Sequence, residues 1–166
     1  MKERLALILA LVLPIAALGA LALYHQQRLA TGTRVELPIA GFDPRDLLAG
    51  HYLRYRIDYG VAQCPGVPNA PHAGICLRPQ KAFFVENPPA PCRLWIEGRC
   101  RDGRFEAGIE RFYIPEEAAR PLEKALMSGL GRVRLSITAD GEARVEELLI
   151  DGKPWRRWLL DVQPPR

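Results

Sequence analysis

The chain has 166 residues, 48% hydrophobic and 25% charged, with a net charge of +4. That length suffices for one domain with a real core and argues against a second. The 23 Lys and Arg are dispersed among 19 Asp and Glu, with no basic stripe interleaved with aromatics, so no nucleic-acid partner is expected.

The first predicted element is a helix. Leu5 to Tyr24 is an uncharged run of about 20 residues, the length that crosses a bilayer. Pro14 and Gly19 are tolerated in such helices, where neighbouring groups restore the backbone hydrogen bonds. Lys2 and Arg4 precede the run and only Arg28 and Arg34 follow closely, which orients the N-terminus to the cytoplasm and exports the rest. A cleaved signal peptide would share the basic start and could use Ala20-Leu21-Ala22, but its apolar region is usually about 7 to 15 residues. The expected organisation is a transmembrane anchor over 1–25, a spacer over 26–34 and an exported β-rich domain over 35–166. The lipid bilayer is thus the first expected partner.

"TRVELPIAGF" reads as a first strand, with Pro38 placing it at a sheet edge or an end. In "DPRDLLAGHYLRYRIDY", Leu53, Tyr55, Ile57 and Tyr59 alternate with Tyr52, Arg54, Arg56 and Asp58, the period of a strand with one buried face. "GVAQCPGVPNAPHAGIC" has no period and reads as a long exposed loop. Asp-Gly pairs at 102–103 and 140–141 are the strongest short-range hairpin signal. They pair "CRLWIEGRCR" with "RFEAGIERFYI", and "GRVRLSITA" with "EARVEELLI".

Between the hairpins, "PEEAARPLEKALMSGLG" carries acids at its start, Lys124 near its end and Gly129 as a stop. Ala118, Leu122, Ala125 and Leu126 mark its buried face, and Pro121 predicts a kink or a restart. Trp155, Trp158 and Leu159 then recur at helical spacing and are expected to pack on the sheet. The fold class is mainly β (α+β): an N-terminal transmembrane helix, then one antiparallel β-rich domain with one short helix.

Cys64, Cys76, Cys92 and Cys100 are an even set, which in an exported domain reads as two disulfides. Their intervals of eleven, fifteen and seven residues do not suit the close pairs of a zinc site, so no metal is expected. If 93–101 is one strand, Cys92 and Cys100 lie about 26 Å apart and each pairs back to the loop cysteines. A bend at Glu97-Gly98 would instead join Cys92 to Cys100 and Cys64 to Cys76, and both connectivities stay open.

No nucleophile constellation is present: the only serines are Ser128 and Ser136, neither in a Gly-x-Ser-x-Gly elbow. Asp43, Asp46 and Asp58 cluster near His51, but a turn and cross-face charge pairing explain those acids. No cofactor fingerprint occurs.

The run Asp43-Pro44-Arg45-Asp46, followed by Gly50-His51-Tyr52, with Tyr55 and Ile57 beyond, resembles the bacterial GDYXXLXY protein family. "RFYIPEEAARPLEKAL" and "GRVRLSITADGEARVEELLIDGKPW" extend the likeness over most of the chain. The resemblance implies a small protein anchored in a bacterial inner membrane with a periplasmic or extracellular domain, and supplies no activity. His51 stands where the motif has aspartate, which suits a structural role better than a catalytic one.

The expected function is therefore a non-enzymatic binding role toward an envelope or integral membrane protein, with His51, Tyr52, Arg54 and Arg56 as candidate binding residues. Two alternatives stand beside it: a membrane-tethered hydrolase or transferase using the acidic cluster of residues 43–58, and a small-ligand or cell-wall module with Trp95, Tyr52 and Tyr113 lining a groove.

Overall fold

The computed structural model describes residues 2–41, 52–60, 64, 69–78, 82–84 and 88–162. It divides into two units, Met1–Gly32 and Thr33–Arg166.

The first unit is the helix α1, Lys2–Ala30, with Pro14 inside it. Residues 26–30 of the stretch expected as a spacer continue this helix, and Thr31 closes it: its backbone N–H and hydroxyl both donate to the Gln27 carbonyl, at 3.1 and 3.2 Å. Side chains from Ala10 to Tyr24 are exposed, among them Leu11 at 67% and Leu13 at 68%. Among the described residues no helix is long and apolar enough to cross a membrane. The spanning role expected of α1 is therefore not shown by the fold.

The second unit is mainly β, with antiparallel pairing throughout. Its first strands are β1 (Thr33–Gly41), β2 (Tyr52–Ile57), β3 (Ala70–Arg78) and β4 (Ala82–Phe84). After them come β5 (Leu94–Arg101), β6 (Arg104–Glu106), β7 (Arg111–Tyr113) and the helix α2 (Glu116–Met127). The chain ends in β8 (Gly131–Ile137), β9 (Ala143–Ile150), β10 (Lys153–Pro154) and a second short helix, α3 (Trp155–Val162). One sheet has the order β10-β9-β8-β1-β2-β7 and the other β4-β3-β5-β6.

The Asp-Gly turns build the meander. Asp102 and Gly103 both have positive φ, 51° and 74°, the conformation that matches the twist of a two-residue hairpin, and β5 pairs with β6 across them. Asp151-Gly152 repeats this geometry between β9 and β10. At the third turn Gly141 N–H donates to the Thr138 carbonyl and Gly141 takes φ 84°, closing β8 onto β9.

Three expectations are corrected. β1 is central rather than at an edge, because Pro38 sits where its pairing changes partner: residues 33–38 pair with β8 and 39–41 with β2, so the missing N–H falls at the end of both ladders. The supposed loop contains β3, a central strand whose Pro71 and Gly74 mask its buried residues from Ala73 to Leu77. The strand after β6 does not continue along β5; the chain leaves the smaller sheet and β7 pairs with β2.

The core lies on one face of the larger sheet. Leu37, Ile39, Leu53, Tyr55, Val133, Leu135 and Leu148 are buried there against α2, α3 and the Ile75 and Ile96 side of the smaller sheet. Each fully buried side chain of this size contributes roughly 1.5–3 kcal/mol. The opposite face carries ion pairs such as Arg134–Glu36 at 2.8 Å and Arg34–Glu146 at 2.9 Å, which at such exposure add ~0–1 kcal/mol each.

α2 runs through Pro121 as one helix, buries Ala118, Leu122, Ala125 and Leu126 as its spacing requires, and leaves Glu117 exposed on the turn before the proline. It ends in a Schellman motif: Gly129 takes φ 74°, its N–H donates to Leu126, and the Leu130 N–H donates to Ala125. In α3 Trp155 is buried, while Trp158 and Leu159 pack partly against the core.

Two disulfides brace the smaller sheet. Because β5 is a single strand, Cys92 and Cys100 flank opposite ends of it, and the links are Cys64–Cys100 and Cys76–Cys92, with Cα atoms 6.1 and 5.8 Å apart.

Candidate functional site

A cavity of about 620 Å³ opens where β2 meets β5, β6 and the segment leading into β7. Its floor is apolar and aromatic. Tyr55 and Tyr59 are buried by the alternation of their strand, and the Tyr59 ring meets Phe105 edge-on at 5.2 Å between centroids. Their hydroxyls are held from beneath: Tyr55 donates to the Ile109 carbonyl at 2.7 Å and Tyr59 to the Glu110 carboxylate at 3.4 Å. Burial, and then the nearby Glu110 charge, raise both phenols well above the ordinary tyrosine range, so both stay neutral hydrogen-bond donors.

The rim is built from arginines. Among the described residues six line the cavity, Arg54, Arg56, Arg99, Arg101, Arg104 and Arg111, against three carboxylates, Asp58, Glu106 and Glu110. Those acids have partners of their own, one of them a rim arginine. Glu106 lies 3.3 Å from Arg99, Asp58 accepts from the Gly60 N–H at 2.7 Å, and Glu110 accepts from the Ala107 N–H at 2.6 Å.

The register then does something unusual. Arg54 of β2 stands directly opposite Arg111 of β7, and Arg101 of β5 opposite Arg104 of β6. Like charges facing each other across antiparallel strands are destabilising, and here two such pairs line one cleft. Arg54, Arg101 and Arg104 are exposed and form no ion pair among the described residues. A planar guanidinium offers paired donors matched to a carboxylate or phosphate, so this rim is suited to an oxyanion.

A model of the GDYXXLXY protein matches residues 14–148, most of the chain. The chain belongs to the GDYXXLXY protein family. The match runs from α1 to β9 and takes in the whole cleft. No curated protein and no solved structure matches the chain.

Of the four residues expected to bind, Arg54 and Arg56 stand on the rim of this cleft. Tyr52 contributes its backbone to β2, opposite Tyr113. His51 lies outside the described residues, as do Asp43 and Asp46 of the acidic cluster, while Asp58 lines the cleft. Of the three aromatics expected to line a groove, Trp95 packs against Phe84 and over Gly141 in the region of the smaller sheet, Tyr113 is 75% exposed on the last strand of the larger one, and the Tyr52 side chain lies outside the described residues. Among the described residues no group of His, Cys, Asp and Glu is placed to hold a metal ion.

Residue-level reasoning missed Arg99, Arg101, Arg104 and Arg111. A signal for two of them was present, since a two-residue turn at Asp102-Gly103 necessarily sets Arg101 beside Arg104. Nothing local announces that Arg111 will cross to Arg54.

Proposed function

We propose that this chain is a single-pass protein of the bacterial inner membrane whose exported β domain binds an anionic group of an integral membrane or other envelope protein. The arginine-rimmed cleft carries the reading, because Arg101 and Arg104 are exposed, stand opposite each other and form no ion pair among the described residues, so an anion between them would relieve their repulsion. Anchoring by α1 is supported by the uncharged run Leu5–Tyr24 and by its exposed leucines, which water solvates poorly. Export is supported by Lys2 and Arg4 ahead of that run and by two disulfides in the domain, bonds that persist in oxidising compartments.

Cross-linking in native membranes followed by co-purification of the full-length chain tests the binding role. A reproducible envelope partner should be recovered, and be lost from an Arg54→Glu/Arg104→Glu variant that retains its thermal stability. Recovery of the chain alone would sink the proposal. A phosphatase fused after residue 40 should be active, and an inactive fusion in stable protein would overturn the topology.

A further inference from the structure

Resting on the reading of α1 as a membrane anchor, we infer that the β domain carries a second anion site, which takes the phosphate of an anionic lipid headgroup from the bilayer that holds the anchor. A cavity of about 590 Å³ is lined by Thr33, Arg78, Pro91, Arg93 and Leu94, and it shares no lining residue with the arginine-rimmed cleft. That volume falls in the ~300–1,000 Å³ range of small-ligand sites. All five residues belong to the second unit.

The charge of this cavity is one-sided. Arg78 and Arg93 are exposed, and among the described residues neither guanidinium has an ion-pair or hydrogen-bond partner. No carboxylate stands among the described residues that line it, whereas the first cleft has three. Two guanidinium forks with no acid between them call for an oxyanion, and a phosphate accepts from both at once.

The framework holds the two arginines together. Arg78 ends β3 and Arg93 immediately precedes β5, and the Arg93 N–H donates to the Arg78 carbonyl at 2.9 Å. The Cys76–Cys92 disulfide ties the same two chain ends, with its Cα atoms 5.8 Å apart. Two like charges are thereby kept in one cavity by covalent and hydrogen bonds rather than by an acid. Little ordering is then left for the ligand to bring about.

The source of the phosphate follows from the chain. Thr33 comes three positions after Ala30, the last residue of α1, which is at most about 10 Å of extended chain. A site tied to a membrane anchor by so short a stretch meets lipid headgroups at high effective concentration, and a free phosphate has no such advantage. Arginines beside an anionic membrane surface are attracted to it in addition. Leu94 and Arg101 stand at the two ends of β5, about 23 Å apart at about 3.3 Å per residue. A headgroup bound at the first end leaves the cleft at the other open to its partner.

Native mass spectrometry of the full-length protein in neutral detergent tests this with dioctanoyl phosphatidylglycerol, dioctanoyl phosphatidylcholine and inorganic phosphate. Phosphatidylglycerol should be retained, and phosphatidylcholine, with the same phosphodiester but no net charge, should not. Arg78→Gln and Arg93→Gln should each weaken phosphatidylglycerol binding about fivefold at an unchanged thermal midpoint, while Arg104→Gln in the other cleft leaves it as it was. Phosphatidylglycerol binding indifferent to Arg78 and Arg93, or equal retention of phosphatidylcholine, would overturn the inference. Arginine-dependent binding of inorganic phosphate without the lipid would also overturn it, by giving the site to a free anion, and binding of no probe at all would remove the site. None of these results touches the anchor, which stands or falls on the phosphatase fusion.

Discussion

The larger sheet buries Leu37, Val133, Leu135 and Leu148 against two helices, whereas the smaller one has Ile75 and Ile96 at its centre and is tied by two disulfides. The larger is assembled from long ladders, such as the seven residues of β8 and eight of β9. In the smaller, β3 carries register shifts at both ends of its pairing with β5, and β4 and β6 have three residues each. Where apolar periodicity is strong, burial alone stabilises the sheet. Where it is interrupted by Pro71, Gly74 and Gly98, covalent links limit the freedom of the unfolded chain instead.

The largest test of that contrast is to cut the links. For sequence separations of 36 and 16 residues, chain entropy assigns them about 4 and 3 kcal/mol. Replacing all four cysteines with alanine should therefore strip hydrogen-exchange protection from β3 and β5 before it does so from β8 and β9. Simultaneous loss in both sheets would show that they form one cooperative unit. Next in size, Leu135→Ala removes a side chain with 0% exposure and should cost about 2–5 kcal/mol in a chemical denaturation curve.

Gly98→Ala should cost about 1–3 kcal/mol, since the added Cβ would lie 2.5 Å from the Glu106 carbonyl oxygen and equally close to the Phe105 ring. Both belong to the smaller sheet's contribution to the cleft, so the same variant should also weaken anion binding. Alkaline pH is a milder probe. Tyr55 and Tyr59 have phenols raised by burial and then by Glu110, so the unfolded chain loses its protons first. Stability should hold below about pH 10 and fall as pH rises beyond it, and Tyr55→Phe should shallow that fall in thermal melts across the range.

The smallest effect has the opposite sign. Arg101→Gln relieves the repulsion with Arg104 and should raise stability by about 0.2–1 kcal/mol, visible as a small increase in thermal midpoint. A decrease would mean that the opposed pair is already neutralised within the chain.

Much of the larger sheet was legible in the residues. The parity of Leu53, Tyr55, Ile57 and Tyr59 gave the buried face of β2, and the spacing of Ala118, Leu122, Ala125 and Leu126 gave that of α2. Both signals are local, since a strand or helix repeats its exposure within a few residues. β3 was not legible, because its proline, glycine and cysteine content is that of a loop until a disulfide and a neighbouring strand hold it extended. Half of the cleft was hidden for a related reason: the sequence exposes Arg54 and Arg56 on a strand face but is silent about what stands across from them.

The order of apolar and polar residues by itself determined the mainly β class, the hairpin turns, the helix that ends at Gly129 and the even set of cysteines available for oxidation. Tertiary structure decided the central place of β1, the pairing of Cys64 with Cys100 and Cys76 with Cys92, and the passage of β7 from one sheet to the other. That last step created the arginine cleft. Short-range periodicity sets which side of a strand is buried, but which strands become neighbours depends on contacts between residues far apart in the chain, and it is those contacts that set Arg54 against Arg111.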